Sequence, residues 1–371
     1  MRINLQAPIN QLGYGVAGLN ILKALDKEGA EVSLFPIGQP QVTTQEDHNA
    51  VLRAIDIAKF YDPKAPCVKI WHQNQMAERI GSGKFIGFPI FELDTFNELE
   101  KHHLNSCDEL MVCSQWARNI CLDNISAKWS DPKYWHKNKI NVVPLGVDMD
   151  IFKPAQPRSG DETIFFNCGK WEIRKGHDIL IEAFKRLAEE ENVELWTMCS
   201  NPFNSQEENN KWHQLYNHPK VKLIPRVETQ TEVYNIMKQV DCGVFPSRGE
   251  GWNLELLEMM AVGKHVIATN YSAHTEFCTE ENCGLVPISN KESAFDGKWF
   301  FGQGNWGKVG PEEVDKLYER MRDFHIFRTI GTKNSVSTPN WNTYINEAGI
   351  ETARKFSWQN TAREIIKCLK N

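Results

Sequence analysis

Short apolar runs alternate with amphipathic segments of helical length along the whole chain, and this rhythm occurs twice. In the first half, INLQAP (3–8) and ELMVC (109–113) have the composition of strands, with helical periodicity between them. In the second half, TIFFNC (163–168) and CGVFP (242–246) follow the same pattern. Alternating strands and helices predict parallel sheets, because parallel neighbours need a crossover connection. We therefore predict an α/β chain of two Rossmann-like, doubly wound domains that face each other across a cleft.

The length of 371 residues also favours two domains, since it exceeds what one ordinary hydrophobic core supports. The polar segment KPAQPRSGDE has the composition of a linker. We therefore expect an N-terminal domain over 1–152, a C-terminal domain over 153–343, and a closing helix in 344–371 that crosses back to the first domain. The Gly- and Trp-rich residues 296–310 are expected either to contact a substrate or to pack.

Composition excludes some classes of protein. The net charge of −6 lacks the basic footprint of a protein that binds nucleic acid non-specifically. The ten cysteines form no CxxC pair, which favours buried reduced thiols over a disulfide framework or a zinc site. No signal region opens the chain, and it has no apolar stretch of about 18 residues. We expect a cytoplasmic protein that does not span a membrane, while peripheral contact with a membrane stays open.

The most informative segment is PSRGEGWNLELLEMMAVGKHVIATN (246–270), which follows a strand and opens a helix. Glu250 and Glu258 are eight residues apart, which is about 12 Å along the axis if the intervening chain is helical. One carboxylate can then bind sugar hydroxyls and the other a ribose. The backbone N–H groups of residues 251–254 at the helix start suit phosphates. The alternative is one glutamate that complements the helix dipole and another on a solvated face.

Several segments, taken together, resemble those of retaining GT-B glycosyltransferases of family 4, the glycosyl transferases group 1. The spacing of Glu250 and Glu258 resembles the E-x7-E signature of that family. GKWEIRKGHDILIEAFKRL (169–187) resembles its donor-phosphate segment, and VPLGVDMDIFKP (143–154) resembles its interdomain stretch. VCSQWARNICLDN (112–124) also fits. The resemblance implies GT-B architecture, with an acceptor-side domain followed by a donor domain.

The resemblance also implies roles for individual residues. Glu250 would contact the transferred sugar, and Glu258 would hold the ribose. Lys170 and Lys175 match the basic pair that neutralises the donor diphosphate, with Arg174 beside them. Fixed cations can stabilise a departing diphosphate without a metal. The alternative for the three cations is a solvated helix start, although cations there oppose the helix dipole.

The donor itself is not specified by the sequence. Gly251, Trp252, Asn253 and Leu254 are expected to bind the donor, but Trp252-Asn253 departs from the small or Phe-Gly residues that are more usual at these positions in the resembling family. This departure leaves the donor sugar open. Arg226 and Val227 follow the strand VKLIP, where the resembling family holds the base. Both UDP and GDP sugars fit this reading, with UDP slightly favoured.

A glycine-containing loop, QLGYGVAGLNILKAL (11–25), lies between strand and helix in the first half. Glycines let backbone approach a phosphate or sugar closely. By resemblance, Gly15 would lie near the donor phosphates, and Gly13 and Tyr14 near the acceptor. A tight strand-to-helix turn is the alternative.

Three polar residues end strands of the first half. His72 follows CVKIW, and by resemblance it lines the cleft near the transferred sugar as a catalytic residue with Glu250 and Lys175; a satisfied core or cap histidine is the alternative. Glu92 and Asp94 follow the next strand, as acceptor-side candidates or as surface turn residues.

No metal is expected. The DMD sequence at 148–150 imitates a metal motif of a different glycosyltransferase fold, but it lies in an interdomain loop. HExxH and GxxxxGK[ST] do not occur in the sequence. We therefore expect a nucleotide-sugar co-substrate and no further cofactor.

The function implied by the resemblance is retaining transfer of a sugar to an acceptor hydroxyl, by front-face displacement. The acceptor is expected to be a glycan, a lipid-linked sugar or a small molecule, and a modified DNA base is less favoured because of the negative net charge. Two alternatives stay open. One is a sugar-nucleotide epimerase of the same fold, and the other is a catalytically silent sugar- or nucleotide-binding module.

Overall fold

The computed structural model describes residues 1–129, 140–331 and 343–370. The chain forms two compact units, the first made of residues 1–146 and 356–371 and the second of residues 147–355. The structure thus places 147–152, at the end of the expected first domain, in the second unit. The prediction of two doubly wound parallel sheets is confirmed, one sheet in each unit.

The first unit contains a six-stranded parallel sheet in the order β2-β1-β3-β4-β5-β6. Its strands are almost continuously buried, as expected for a sheet covered by helices on both faces. The strands are β1 (Arg2–Ala7), β2 (Glu31–Pro36), β3 (Cys67–Trp71), β4 (Phe85–Pro89), β5 (Glu109–Val112) and β6 (Ile140–Val142). The helices are α1 (Gly13–Lys27), α2 (Gln45–Ala58), α3 (Glu98–Asn105), α4 (Gln115–Trp129) and α11 (Trp358–Lys370).

The second unit repeats the plan, with a parallel sheet in the order β12-β11-β10-β7-β8-β9 and an antiparallel hairpin of β13 and β14. Its core lies between the sheet and α5, α9 and their neighbours. The strands are β7 (Thr163–Gly169), β8 (Val193–Cys199), β9 (Val221–Leu223), β10 (Cys242–Phe245), β11 (His265–Asn270), β12 (Gly284–Pro287), β13 (Lys291–Phe295) and β14 (Phe301–Gly307). The helices are α5 (His177–Glu190), α6 (Gln206–Leu215), α7 (Gln230–Met237), α8 (Leu254–Ala261), α9 (Pro311–Ile330) and α10 (Glu347–Lys355).

Two segments differ in detail from expectation. The C-terminal stretch forms two helices rather than one; α10 belongs to the second unit, whereas α11 belongs to the first and packs on α1. The Gly/Trp-rich segment 296–310 covers the tip and second strand of the hairpin. Trp306 is buried there, whereas Trp299 and Phe301 are exposed, so the segment both packs and presents aromatic side chains.

All ten cysteines are free thiols. In the described part of the chain, no helix is both long and apolar enough to cross a bilayer.

Candidate functional site

Two loops of the second unit leave the same edge of its sheet. Strands β7 and β10 are parallel neighbours, so the loop after β7 (170–176) and the loop after β10 (246–253) start side by side. The Arg248 backbone N–H donates to the carbonyl of Arg174 at 2.7 Å, which joins them. Ligands of open α/β sheets bind at this carboxyl edge. The loops carry seven of the candidate residues that the sequence singled out: Lys170, Arg174, Lys175, Glu250, Gly251, Trp252 and Asn253.

Glu250 lies at the junction of the two loops and is buried. Its Oε1 accepts from Lys175 Nζ at 2.7 Å and from Ser247 Oγ at 2.6 Å, and its Oε2 accepts from Arg174 Nη1 at 2.8 Å. Burial alone would raise the pKa of Glu250, but the Lys175 and Arg174 cations outweigh it and hold that pKa well below its usual range. Glu250 is therefore a fixed, permanently charged carboxylate.

A second carboxylate, Glu172, lies in the same network and was not among the predicted site residues. Its Oε1 accepts from Lys170 Nζ at 2.6 Å and its Oε2 from Arg174 Nη2 at 2.7 Å. Burial is again outweighed, by the Arg174 and Lys170 charges, and the pKa of Glu172 falls to about 2. The signal for it was an acidic residue in the middle of the basic segment GKWEIRKG.

The three predicted cations differ in exposure. The side chains of Arg174 and Lys175 are 5% and 12% exposed, whereas that of Lys170 is 35% exposed. Lys170 is thus the most accessible of the three to an anionic ligand. The guanidinium of Arg174 donates to two carboxylates and to the carbonyl of Gly249, and all three of these contacts are to protein groups.

Gly176 separates these cations from the helix that follows. The helical periodicity of RKGHDILIEAFKRLAEE predicts a continuous helix over 174–190, but Ile173–Lys175 form one 3-10 turn and α5 begins only at His177. The prediction was wrong there because Gly176 has a φ of 71°, in the left-handed region that interrupts a helix. A Cβ at this position would lie 2.0 Å from the carbonyl oxygen of Pro246, so only glycine lets the two loops approach.

The start of α8 is shaped by Asn253. This residue has a φ of 87°, and its Oδ1 accepts from the Leu256 N–H at 3.1 Å as the N-cap of the helix. Residues 250–253 are not helical, so the helical rise does not give the separation of Glu250 and Glu258. Asparagine tolerates the left-handed region better than most residues, which gives a physical reason for Asn253 at this position.

The backbone around Glu250 is strained. In the described ranges, Asn253 and Ser272 are the non-glycine residues with positive φ. Ser272 Oγ accepts from the Glu250 N–H at 2.8 Å, and Asn253 Nδ2 lies 2.9 Å from Nε2 of the buried His274. Strained residues persist only where the surroundings over-determine them, and they cluster at functional sites.

Glu258 lies one turn into α8 and is buried. Among the described residues, no hydrogen bond or ion pair to its carboxyl group is found. Burial, with a smaller contribution from the nearby Glu255 charge, raises the pKa of Glu258 from 4.5 to about 8. Near neutral pH the group is therefore largely a neutral carboxylic acid, which both donates and accepts hydrogen bonds.

Glu258 should make the fold less stable as the pH rises. Its folded pKa lies above its unfolded value, so the stabilisation is complete below about pH 4.5 and is lost progressively up to about pH 8. Glu258→Gln removes this titration. We expect the variant to gain thermal stability relative to wild type at pH 8.5 but not at pH 5. An equal difference in unfolding midpoint at both values would contradict the assignment, and Glu281→Gln, on an exposed turn, serves as the control.

Arg226 and Val227 lie apart from this network, in the loop between β9 and α7. Arg226 is exposed and Val227 is partly buried. In the sheet order, β9 is three strands from β10, a separation of about 14 Å at 4.8 Å per strand.

In the first unit, the predicted glycine loop opens α1. A Cβ on Gly15 would lie 2.3 Å from the backbone nitrogen of Asn10, so this glycine makes room for the chain itself. Gly13 has nothing within 4 Å of such a Cβ. The Tyr14 hydroxyl donates to the carbonyl of Ile90, and its oxygen lies 3.2 Å from His72 Nδ1.

Glu92 and Asp94 lie in the loop that follows β4, close in sequence to Ile90, and are partly buried. Asp94 Oδ1 accepts from the Thr95 hydroxyl at 3.1 Å.

In the DMD segment, Asp148 Oδ1 accepts from the Asp150 N–H at 2.9 Å, as in an ordinary turn. In the described part of the chain, no cluster of three or more His, Cys, Asp and Glu side chains is arranged to hold a metal.

Part of the second unit matches a known protein family. Residues 162–297 match the family described as glycosyl transferases group 1. An uncharacterized glycosyltransferase of Methanocaldococcus jannaschii is 24% identical over 72% of this chain. The match spans 60% of the length of that relative.

Two solved structures share the fold. A sucrose-phosphate synthase from Thermosynechococcus elongatus has a TM-score of 0.67 and 16% identity, covering 100% of this chain and 98% of its own. Anabaena HepE, solved in complex with UDP-glucose, has a TM-score of 0.68 and 14% identity, covering 100% and 99%. The chain thus has the GT-B fold of these solved structures, and residues 162–297 of its second unit are similar to the glycosyl transferases group 1.

Proposed function

We propose that this chain transfers a sugar from a nucleotide-sugar donor to an acceptor hydroxyl, with retention of the anomeric configuration. The observation that carries the proposal is the fixed Glu250 carboxylate, held by Lys175 and Arg174 where two loops meet at the carboxyl edge of the second sheet. Such a carboxylate can accept hydrogen bonds from sugar hydroxyls. Its network also contains the cations that a departing diphosphate needs.

The donor diphosphate would be bound by Lys170, Lys175 and the start of α8. Lys170 is the most exposed cation of the network, and the first N–H groups of a helix have no intrahelical partner. Cations and helix N-termini both stabilise negative charge that develops on a leaving group. This supports a reaction that needs no metal and no further cofactor.

The ribose would be held by Glu258. A buried neutral carboxylic acid can donate to one ribose hydroxyl and accept from the other, which suits a diol. We propose a UDP sugar as the donor, supported by the UDP-glucose in the HepE complex. Arg226 and Val227 are the candidates for contact with the base.

The proposed reaction is a front-face displacement. The bond from the anomeric carbon to the diphosphate oxygen breaks, and the acceptor oxygen bonds to that carbon on the same face. The acceptor proton passes to the departing phosphate oxygen. Glu250 holds the sugar, and Lys170 and Lys175 stabilise the diphosphate, so positioning and electrostatics supply most of the acceleration.

The acceptor is proposed to be a sugar hydroxyl. Gly13, Tyr14, Glu92 and Asp94 are the candidates to bind it, and His72 is the candidate to contact the transferred sugar. Gly13 leaves open space, and His72 lies beside Tyr14, with its Nδ1 3.2 Å from the Tyr14 hydroxyl oxygen.

Thermal unfolding with a panel of UDP, GDP, ADP and CMP, and of their common sugar conjugates, tests the donor assignment. A nucleotide at about 100 times its dissociation constant should raise the free energy of unfolding by about 2.7 kcal/mol. We expect uridine nucleotides to stabilise the wild type and Glu258→Ala to lose the shift. No shift with any nucleotide at millimolar concentration would argue against the donor site.

A further inference from the structure

Glu172 lies in the second unit, and the proposed reaction assigns no direct role to it. It lies in the loop after β7 and is 6% exposed, with one carboxylate oxygen on Lys170 and the other on Arg174. Both of its ion-pair partners belong to the candidate site. A buried carboxylate seldom adds much net stability, because losing its hydration offsets the attraction to its partners. Stability alone is therefore a weak reason for its presence.

Arg174 carries the connection further. The same guanidinium that binds Glu172 through Nη2 donates through Nη1 to Glu250 Oε2 and to the Gly249 carbonyl, at 2.8 and 2.7 Å. One side chain thus joins the loop after β7 to the loop after β10. The planar fork of arginine sets the relative orientation of the groups that it binds, which lysine cannot do.

We infer that Glu172 is a positioning residue, which acts through Arg174 on Glu250 and through Lys170 on the donor diphosphate. This rests on the proposed function. Glu172 fixes one end of the guanidinium, so that the other end holds the Glu250 carboxylate in a single orientation. It also holds Lys170 beside the loop until a diphosphate competes for that charge. In this proposal Arg174 bridges the carboxylates of Glu172 and Glu250 and does not itself bind the donor.

Glu172→Gln tests this assignment because it keeps the size of the side chain and removes its charge. Glutamine has one acceptor oxygen and an amide N–H₂ group in place of the second, so it cannot accept at both of the positions that Lys170 and Arg174 contact. We expect nucleotide affinity to change by less than about 3-fold, since the released Lys170 still attracts the diphosphate. Turnover should fall about 100-fold, because small misplacements of a catalytic group cost that much.

The measurements are the dissociation constant of UDP by calorimetry and the slow hydrolysis of UDP-glucose in water, which needs no acceptor. The double variant Glu172→Gln/Glu250→Gln should hydrolyse about as slowly as Glu250→Gln alone, since residues that act as a unit are not additive. Glu207→Gln is the control. This exposed glutamate also pairs with a lysine, Lys211, but both residues lie on α6, outside the two loops of the candidate site.

Two results would overturn the inference: hydrolysis by Glu172→Gln at the wild-type rate, or a loss that multiplies fully with that of Glu250→Gln. If Glu172→Gln does not fold by circular dichroism, Arg174→Lys replaces it, and the same retained affinity with lost turnover is expected. Wild-type rates in Arg174→Lys would equally overturn it. A wild type that neither binds UDP nor hydrolyses UDP-glucose would instead count against the proposed function.

Discussion

Glu250→Gln is expected to lower turnover of the donor about 100- to 1000-fold, the range seen when one preorganised electrostatic contact is removed. The native carboxylate accepts from Lys175, Ser247 and Arg174 while buried. A glutamine turns an amide N–H₂ toward one of the two cations and removes the negative charge that both of them contact, so that Arg174 keeps Glu172 as its charged partner. The sugar would lose its acceptor, and Lys175 would lose the contact that orients it.

Steady-state kinetics with the donor found in the nucleotide panel give the test, with kcat and KM reported separately. The loss should fall mainly on kcat, because the carboxylate acts where charge develops rather than in holding the nucleotide. Glu182→Gln, on the exposed face of α5, should retain wild-type kinetics. Turnover by Glu250→Gln within about 3-fold of wild type would show that Glu250 has no role in the mechanism. An activation free energy that rises by about 1.36 kcal/mol already lowers the rate tenfold, so a 3-fold change is smaller than the loss of one such contact.

Gly176→Ala is expected to lower the free energy of unfolding more than any other substitution considered above. Its φ of 71° costs a residue with a Cβ about 1–2 kcal/mol. The new Cβ would also lie 2.0 Å from the Pro246 carbonyl oxygen, a backbone atom that cannot rotate away. Relief of such overlap typically costs about 1–3 kcal/mol more. Because Gly176 and Pro246 flank the two loops of the site, nucleotide binding should weaken as well.

Gly29→Ala is a matched control for the backbone contribution. Gly29 has a φ of 80°, but nothing lies within 4 Å of a Cβ there. Gly29→Ala should therefore lower the free energy of unfolding in urea less than Gly176→Ala does, and it should leave nucleotide affinity unchanged. Equal losses for the two variants would show that the contact with Pro246 is not tight.

Much of the fold could be predicted because hydrophobic patterning is local. The runs TIFFNC and CGVFP were expected to be strands and are β7 and β10, since buried parallel strands are apolar on both faces. Breaks in helices were harder to place. Gly176 and Asn253 interrupt segments with good helical periodicity, and their left-handed conformations depend on the loops that they contact.

Some residues of the candidate site could be predicted from the sequence, and others could not. Glu250 and Glu258 were predicted as site residues from their spacing, and Lys170 and Lys175 from the resemblance of their segment to a known family. Glu172 was missed, because its partners Lys170 and Arg174 only become a network when the loop is folded. The pairing of Arg174 with Glu250 joins residues 76 positions apart, and local sequence contains no signal for such a contact.

By itself, the sequence determined the two parallel-sheet units and the order of the acidic and basic residues after β7 and β10, because burial patterns and residue types are written along the chain. Only the tertiary structure decided the charge states and partners of those residues. Burial on α8 makes Glu258 a largely neutral acid, while two cations from another loop keep Glu250 charged. The two glutamates have the same chemistry in solution, and their difference arises from desolvation and neighbouring charge, which exist only after the chain has packed.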